Sequence, residues 1–169
     1  LYRSDEQTDL QTAQALADLK PDTMRIYPTL VMAGTWLEAL FLARKYRPQT
    51  LEQATALCAR LLELFERHRI RVIRMGLHAQ DTLEQALVAG PYHPAFRELC
   101  EGVLMGERLK RLLNGAPAGN YTVRVAPRSV SRLTGHGAPV LREQERLGRR
   151  VRLLQDVCLS ELNLEIEEV

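Results

Sequence analysis

The sequence has little of what makes a chemistry obvious. Only three cysteines occur in 169 residues, Cys58, Cys100 and Cys158, and they lie far apart. An odd, sparse set is no disulfide framework, so a reducing cytoplasm is the default expectation. None stands in a CxxC or CxxxCxxC pattern, so local cysteines build no metal or cluster site. Each reads as a small apolar core residue. No apolar run approaches the roughly 18 residues a membrane span needs, and no charged-then-apolar leader opens the chain. The net charge is only +2, so charge alone names no nucleic-acid partner. The chain opens on Leu1 without a methionine, as expected of a trimmed protein or a piece of a longer one.

What is present reads as a soluble globular protein, 46% hydrophobic and 26% charged. Ser4-Asp5-Glu6-Gln7 has the form of a capping box and predicts a helix to about Leu19. Thr23 to Val31 is β-branched and aromatic and predicts one strand broken at Pro28. Gly34 marks a turn, and Thr35 caps a short helix to about Arg44. Thr50 to Gln53 forms a second capping box, opening a long helix to about His68 with Leu57, Leu61, Leu64 and Phe65 on one face. Ile70 to Leu77 predicts another strand. Strands alternating with helices imply crossovers and a parallel sheet. Two strands cannot close a barrel, so their edges need upstream chain, a later strand or another copy; a homodimer or rearranged sheet is expected of the piece alone.

After a short segment from Thr82 to Val88, the loop Gly90-Pro91-Tyr92-His93-Pro94 leads to a helix from about Ala95 to Leu113. The stretch 114–120 is small, rich in Gly and Pro, and uncharged, and predicts a linker between residues 1–113 and a module over 121–169. The module reads as strand (Tyr121–Pro127), helix (Ser129–Leu133), glycine turn, helix (Val140–Leu147), strand and strand.

Arg25 to Val31, Gly34-Thr35-Trp36-Leu37 and Tyr46-Arg47-Pro48 stand in the order of an RIYPTLV strand, a GT-x-L turn-helix and a Y-[KR]-P element. With Val72–His78 and Val88–Leu99, these motifs resemble the C-terminal part of the radical S-adenosylmethionine barrel in bacterial proteins related to the Elongator catalytic subunit. The resemblance covers about residues 1–105. It implies an α/β fold: a partial parallel (β/α) barrel, the C-terminal half of a radical SAM barrel, followed by a small α+β module. The last 50 residues resemble a KH-type RNA-binding module, in which a GXXG loop between two helices clamps backbone nucleotides. That loop would be Gly135-His136-Gly137-Ala138, with the final glycine replaced by alanine and Pro139 following. S-adenosylmethionine and a [4Fe-4S] cluster are implied for a full-length parent, whose CxxxCxxC loop this chain lacks. No metal site and no radical activity are expected of the chain alone, and its catalytic residues are left unassigned.

In parallel α/β architectures, ligands bind beyond the carboxyl ends of strands. Tyr27, Pro28 and Thr29 would stand at one such end, and Arg74, Gly76 and His78 at the other. In the implied barrel they would border a cofactor or substrate cavity, or simply fill the barrel end. Gly76 would let backbone approach a ligand, and Arg74 would grip a carboxylate or phosphate. His93 would donate a proton or contact phosphate, or hydrogen-bond locally and lock the turn between Pro91 and Pro94. His68 suits a helix C-terminus. Tail arginines, among them Arg128, Arg132 and Arg142, would meet phosphates together with Gly135, His136 and Gly137, or form a solvated face laced with Glu143, Glu145 and Asp156. The function this implies is part of an enzyme modifying tRNA or another RNA. The alternatives are a radical SAM oxidoreductase with a small-molecule or tetrapyrrole substrate, resembling the oxygen-independent coproporphyrinogen oxidases, and a non-enzymatic RNA-binding module.

Overall fold

The computed structural model describes residues 2, 4–77, 81–135 and 138–168. The chain divides into two compact units, Leu1–Cys100 and Glu101–Val169.

In the first unit, helix α1 (Glu6–Asp18) starts on Asp5 instead of the expected Ser4 box. The Asp5 carboxylate accepts the Thr8 backbone N–H at 2.8 Å and the Thr8 hydroxyl at 2.7 Å. These bonds, the backbone one foremost, hold Asp5 below its ordinary pKa of 3.8. Buried Ala13 and Ala17 give α1 a small-residue face against α3 (Leu51–Arg67).

The capping box at Thr50 is complete. The Gln53 N–H donates to Thr50 Oγ1 at 3.2 Å, and the Thr50 N–H donates to Gln53 Oε1 at 3.0 Å. Along α3, Ala54, Leu57, Cys58, Leu62 and Phe65 are buried at helical spacing and face β1 and β3. Burying Leu57, Leu62 and Phe65 contributes about 1.5–3 kcal/mol each. Leu61 and Leu64 stay half-buried.

Strands β1 (Thr23–Ile26) and β3 (Arg71–Met75) pair in parallel, as a crossover through α3 requires. The expected strand over 23–31 is instead two strands in two sheets. Residues 27–30 carry no regular structure, since Pro28 has no N–H to give a ladder. Beyond them β2 (Val31–Met32) turns to a different partner, pairing antiparallel with β4 (Leu87–Ala89). Thr35 caps α2 (Trp36–Leu42), reached through Gly34 at φ +75°. Helix α4 (Asp81–Ala86) runs directly into β4.

Helix α5 (Phe96–Leu112) straddles the division between the units. Packing divides the chain inside this helix, because α5 from Glu101 onward packs with later residues of the second unit. A Cβ on Gly102 would stand 3.0 Å from the Arg132 carbonyl, and one on Gly106 would stand 3.6 Å from Val140.

In the second unit, β5 (Gly119–Val125) is central, parallel to β6 (Arg149–Gln155) and antiparallel to β7 (Leu164–Glu168). Between β5 and β6 come a 3₁₀ turn (Pro127–Ser129), α6 (Val130–Thr134) and α7 (Pro139–Arg146). Tyr121, Val123 and Val125 alternate onto the buried face with Leu133 and Val140. The Tyr121 hydroxyl donates to the Pro117 carbonyl at 2.7 Å, tying the connecting stretch to the strand. The class is mixed α/β, and none of the three sheets among the described residues closes into a barrel.

Candidate functional site

The carboxyl ends of β1 and β3 are joined by backbone. The Gly76 N–H donates to the Ile26 carbonyl at 3.0 Å, just past both strands. Gly76 turns there at φ +72°, and a Cβ on it would stand 2.8 Å from Phe96 Cβ. Two local demands, a left-handed turn and the close approach of a buried ring, thus require glycine at this position.

The 90–96 loop lies against the same region. Gly90, at φ +122°, lies so close to the β1 exit that a Cβ would stand 3.2 Å from the Thr29 carbonyl and from Leu30 Cα. His93 holds the turn into α5: its Nδ1 accepts the Ala95 N–H at 3.1 Å, and its carbonyl accepts the Phe96 N–H at 3.1 Å. An accepting Nδ1 places the neutral ring's proton on Nε2. Tyr92 anchors the loop to α4 by donating to Glu84 Oε1 at 2.8 Å, and that bond raises the tyrosine's pKa.

The exits of β1 and β3 and the 90–96 loop therefore converge. Tyr27 is 44% exposed, and Thr29 and His93 are half-buried. Among the described residues no hydrogen bond or ion pair links Tyr27, Thr29, Arg74 and His93 to one another. Arg74 lies within β3, exposed, opposite Arg25 of β1 in the parallel register. The bulge between Met24 and Arg25 sets this pairing, and it makes Arg25 a site candidate that spacing alone does not reveal. Such a pair could hold a carboxylate or phosphate in bidentate fashion. His78 lies outside the described residues.

In the second unit the arginines differ in what they already hold. Arg132 Nε donates to Glu101 Oε2 at 2.6 Å, its NH1 donates to the Arg128 carbonyl at 2.7 Å, and its NH2 faces Glu161 at 3.4 Å. The Glu101 side chain is 3% exposed, so Arg132 is a charge partner of a buried carboxylate. Arg124 pairs with Asp156 and Glu165, and Arg149 donates to the Ala116 carbonyl and Gln144. Arg128 has an 85% exposed side chain, 3.5 Å from Glu161, and Arg142, Arg146, Arg150 and Arg152 are exposed. Gly135 ends α6, and Ala138 begins α7 at φ 50°, ψ 53°, its N–H donating to the Gly135 carbonyl at 3.0 Å. His136 and Gly137 lie outside the described residues.

An iron–sulfur cluster would need converging thiolates. Cys58 and Cys100 are buried in the first unit, while Cys158 is exposed in the second. Among the described residues no three His, Cys, Asp or Glu side chains gather as a metal requires. The described residues do not fit a cluster. Among the described residues no helix is long and apolar enough to cross a membrane.

No curated protein matches the chain. The model of the Radical_SAM C-terminal domain family matches residues 21–105, from just before β1 into α5, which is half of the chain. The matched span holds the β1–β3 pair, its α3 crossover and the 90–96 loop, and the chain belongs to the Radical_SAM C-terminal domain family.

Proposed function

We propose that the chain is the C-terminal portion of a cytoplasmic, Elongator-like radical SAM enzyme acting on tRNA or another RNA, with the second unit a KH-like module that holds the RNA. The observation that carries this reading is the order of the second unit: strand, helix, four-residue connection, helix, strand, strand. Ala138 supports it. Standing where a GXXG loop has its last glycine, it keeps the left-handed backbone that glycine favours. Arg128 and Arg142, exposed on either side of that connection, are the residues proposed to meet phosphates. Arg132, engaged with Glu101, positions α6 in this reading.

Tyr27, Thr29, Arg74, Gly76, His78 and His93 then border the cavity of the complete barrel. The [4Fe-4S] cluster and S-adenosylmethionine belong to upstream sequence with a CxxxCxxC loop. That upstream half also covers the open edges of β1 and β3, which the chain alone would pair between two copies. The test is a parent protein carrying the upstream sequence, reconstituted anaerobically. S-adenosylmethionine consumption should rise on adding tRNA. A rise with a tetrapyrrole and none with tRNA would transfer the reading to the coproporphyrinogen-oxidase-like alternative.

A further inference from the structure

Helix α2 is apolar in composition, WLEALFL, yet none of its residues is buried. Trp36 is 65% exposed and Leu42 is 69% exposed. Large apolar side chains left exposed on one short helix are candidates for a contact surface. Trp36 is not isolated. Its ring lies edge-to-face with Tyr2 at 5.1 Å between centroids, and Tyr2 meets Tyr46 at 6.3 Å. At 65% exposure, Trp36 cannot have both ring faces covered, so Tyr2 steadies the indole and leaves stacking area open.

Charge identifies the occupant. From residue 39 to residue 51 the sequence has no acidic side chain, while Arg44, Lys45 and Arg47 supply three cations. All three are exposed, and among the described residues none has an ion-pair or side-chain hydrogen-bond partner. Glu38, the nearest carboxylate on the N-terminal side, is turned to the Gly34 N–H at 2.7 Å. Cations next in sequence to an aromatic cluster with one open ring suit single-stranded nucleic acid, which needs charge for the backbone and a π-face for a base. A second copy of the chain fits less well, because a two-fold contact would set like charges against each other. A bilayer also fits less well, since α2 is only about 10 Å long.

We infer that Trp36, Tyr2 and Tyr46, flanked by Arg44, Lys45 and Arg47, form a base-stacking surface for single-stranded RNA on the first unit. The inference rests on the proposed RNA substrate and adds a contact that the KH-like module does not provide.

Trp36 is the sole tryptophan, so its fluorescence reports the surface directly. The probe is a short single-stranded oligoribonucleotide titrated into the full 169-residue chain. Saturable quenching of Trp36 is expected. By anisotropy of the labelled oligonucleotide, Trp36→Ala should weaken binding at least about fivefold, with Trp36→Phe restoring most of it. Replacing Arg44, Lys45 and Arg47 together by Gln should reduce the slope of log affinity against log salt by about 2. Because Trp36 is exposed, circular dichroism should show the Ala variant folded. RNA binding that leaves Trp36 unquenched and survives Trp36→Ala would overturn this surface while leaving the RNA reading intact. No RNA binding even at low salt would overturn both. A Trp36 response to anionic vesicles alone, or to protein concentration alone, would reassign the patch to a membrane or a second copy and refute the proposal.

Discussion

Replacing Arg132 by Met tests whether the second unit is organised around a buried ion pair. The Glu101 side chain is 3% exposed and that of Arg132 15%, with 2.6 Å between Nε and Oε2. Water screens such a pair little, and removing Arg132 takes from Glu101 a guanidinium held at hydrogen-bond distance in a low-dielectric site. The cost of breaking a buried pair in this way is about 3–5 kcal/mol. Loss of the bonds to the Arg128 carbonyl and Ser129 Oγ acts in the same direction. For a unit of this size each kcal/mol lowers the melting temperature by roughly 4–8 °C, so the variant should melt at least about 12 °C lower or fail to fold at 37 °C. Urea melts by circular dichroism give the cost, and hydrogen exchange at the buried Val123 and Val125 amides assigns it to this unit. Replacing both partners, Glu101→Leu with Arg132→Met, should recover most of the loss, since an apolar pair needs no counterion. A cost below about 1 kcal/mol for Arg132→Met, the range of an exposed pair, would refute the reasoning. Arg132 would then be a surface cation like Arg128.

Two smaller perturbations concern backbone geometry and capping. Ala138→Gly removes a left-handed strain of about 1–2 kcal/mol, partly offset by glycine's flexibility, so urea melts should show a net gain of up to about 1 kcal/mol. For Asp5, whose pKa lies below its ordinary value of 3.8, the cap's contribution is present above that value and is lost as pH falls through the lower folded value. The Thr8 amide resonance should move on acid titration, and Asp5→Asn should abolish that pH dependence while keeping the cap.

Much of the fold is legible in the sequence because capping residues and hydrophobic spacing act locally. The Thr50–Gln53 box sets the start of α3, and its apolar face points to a parallel pair bridged by a helix. Strand β4 escapes a linear reading because three residues directly after a helix leave no alternation to read. Pro28 is visible as a break, but not that the chain changes sheets there, since the partner of β2 comes more than fifty residues later. The Gly/Pro-rich stretch has the composition of a boundary. The division by packing falls inside α5, where Gly102 and Gly106 admit close neighbours.

The candidate site is less legible, for the same physical reason. Arg132 resembles the other tail arginines in sequence, because its partner Glu101 lies on a different helix and only burial distinguishes the two cases. Arg25 does not stand out, because its pairing with Arg74 depends on a register shift. The aromatic cluster around Trp36 is spread over Tyr2, Trp36 and Tyr46, too far apart in sequence to read as one surface.

The central claim, that this chain serves an enzyme acting on RNA, is tested most directly by measuring tRNA affinity as a function of salt. Saturable binding by the full chain is expected, with log affinity falling linearly in log salt. Arg128→Gln and Arg142→Gln should each reduce that slope by about 1 while leaving the fold intact. Binding too weak to saturate at low salt, or a slope unchanged in both variants, would contradict the claim.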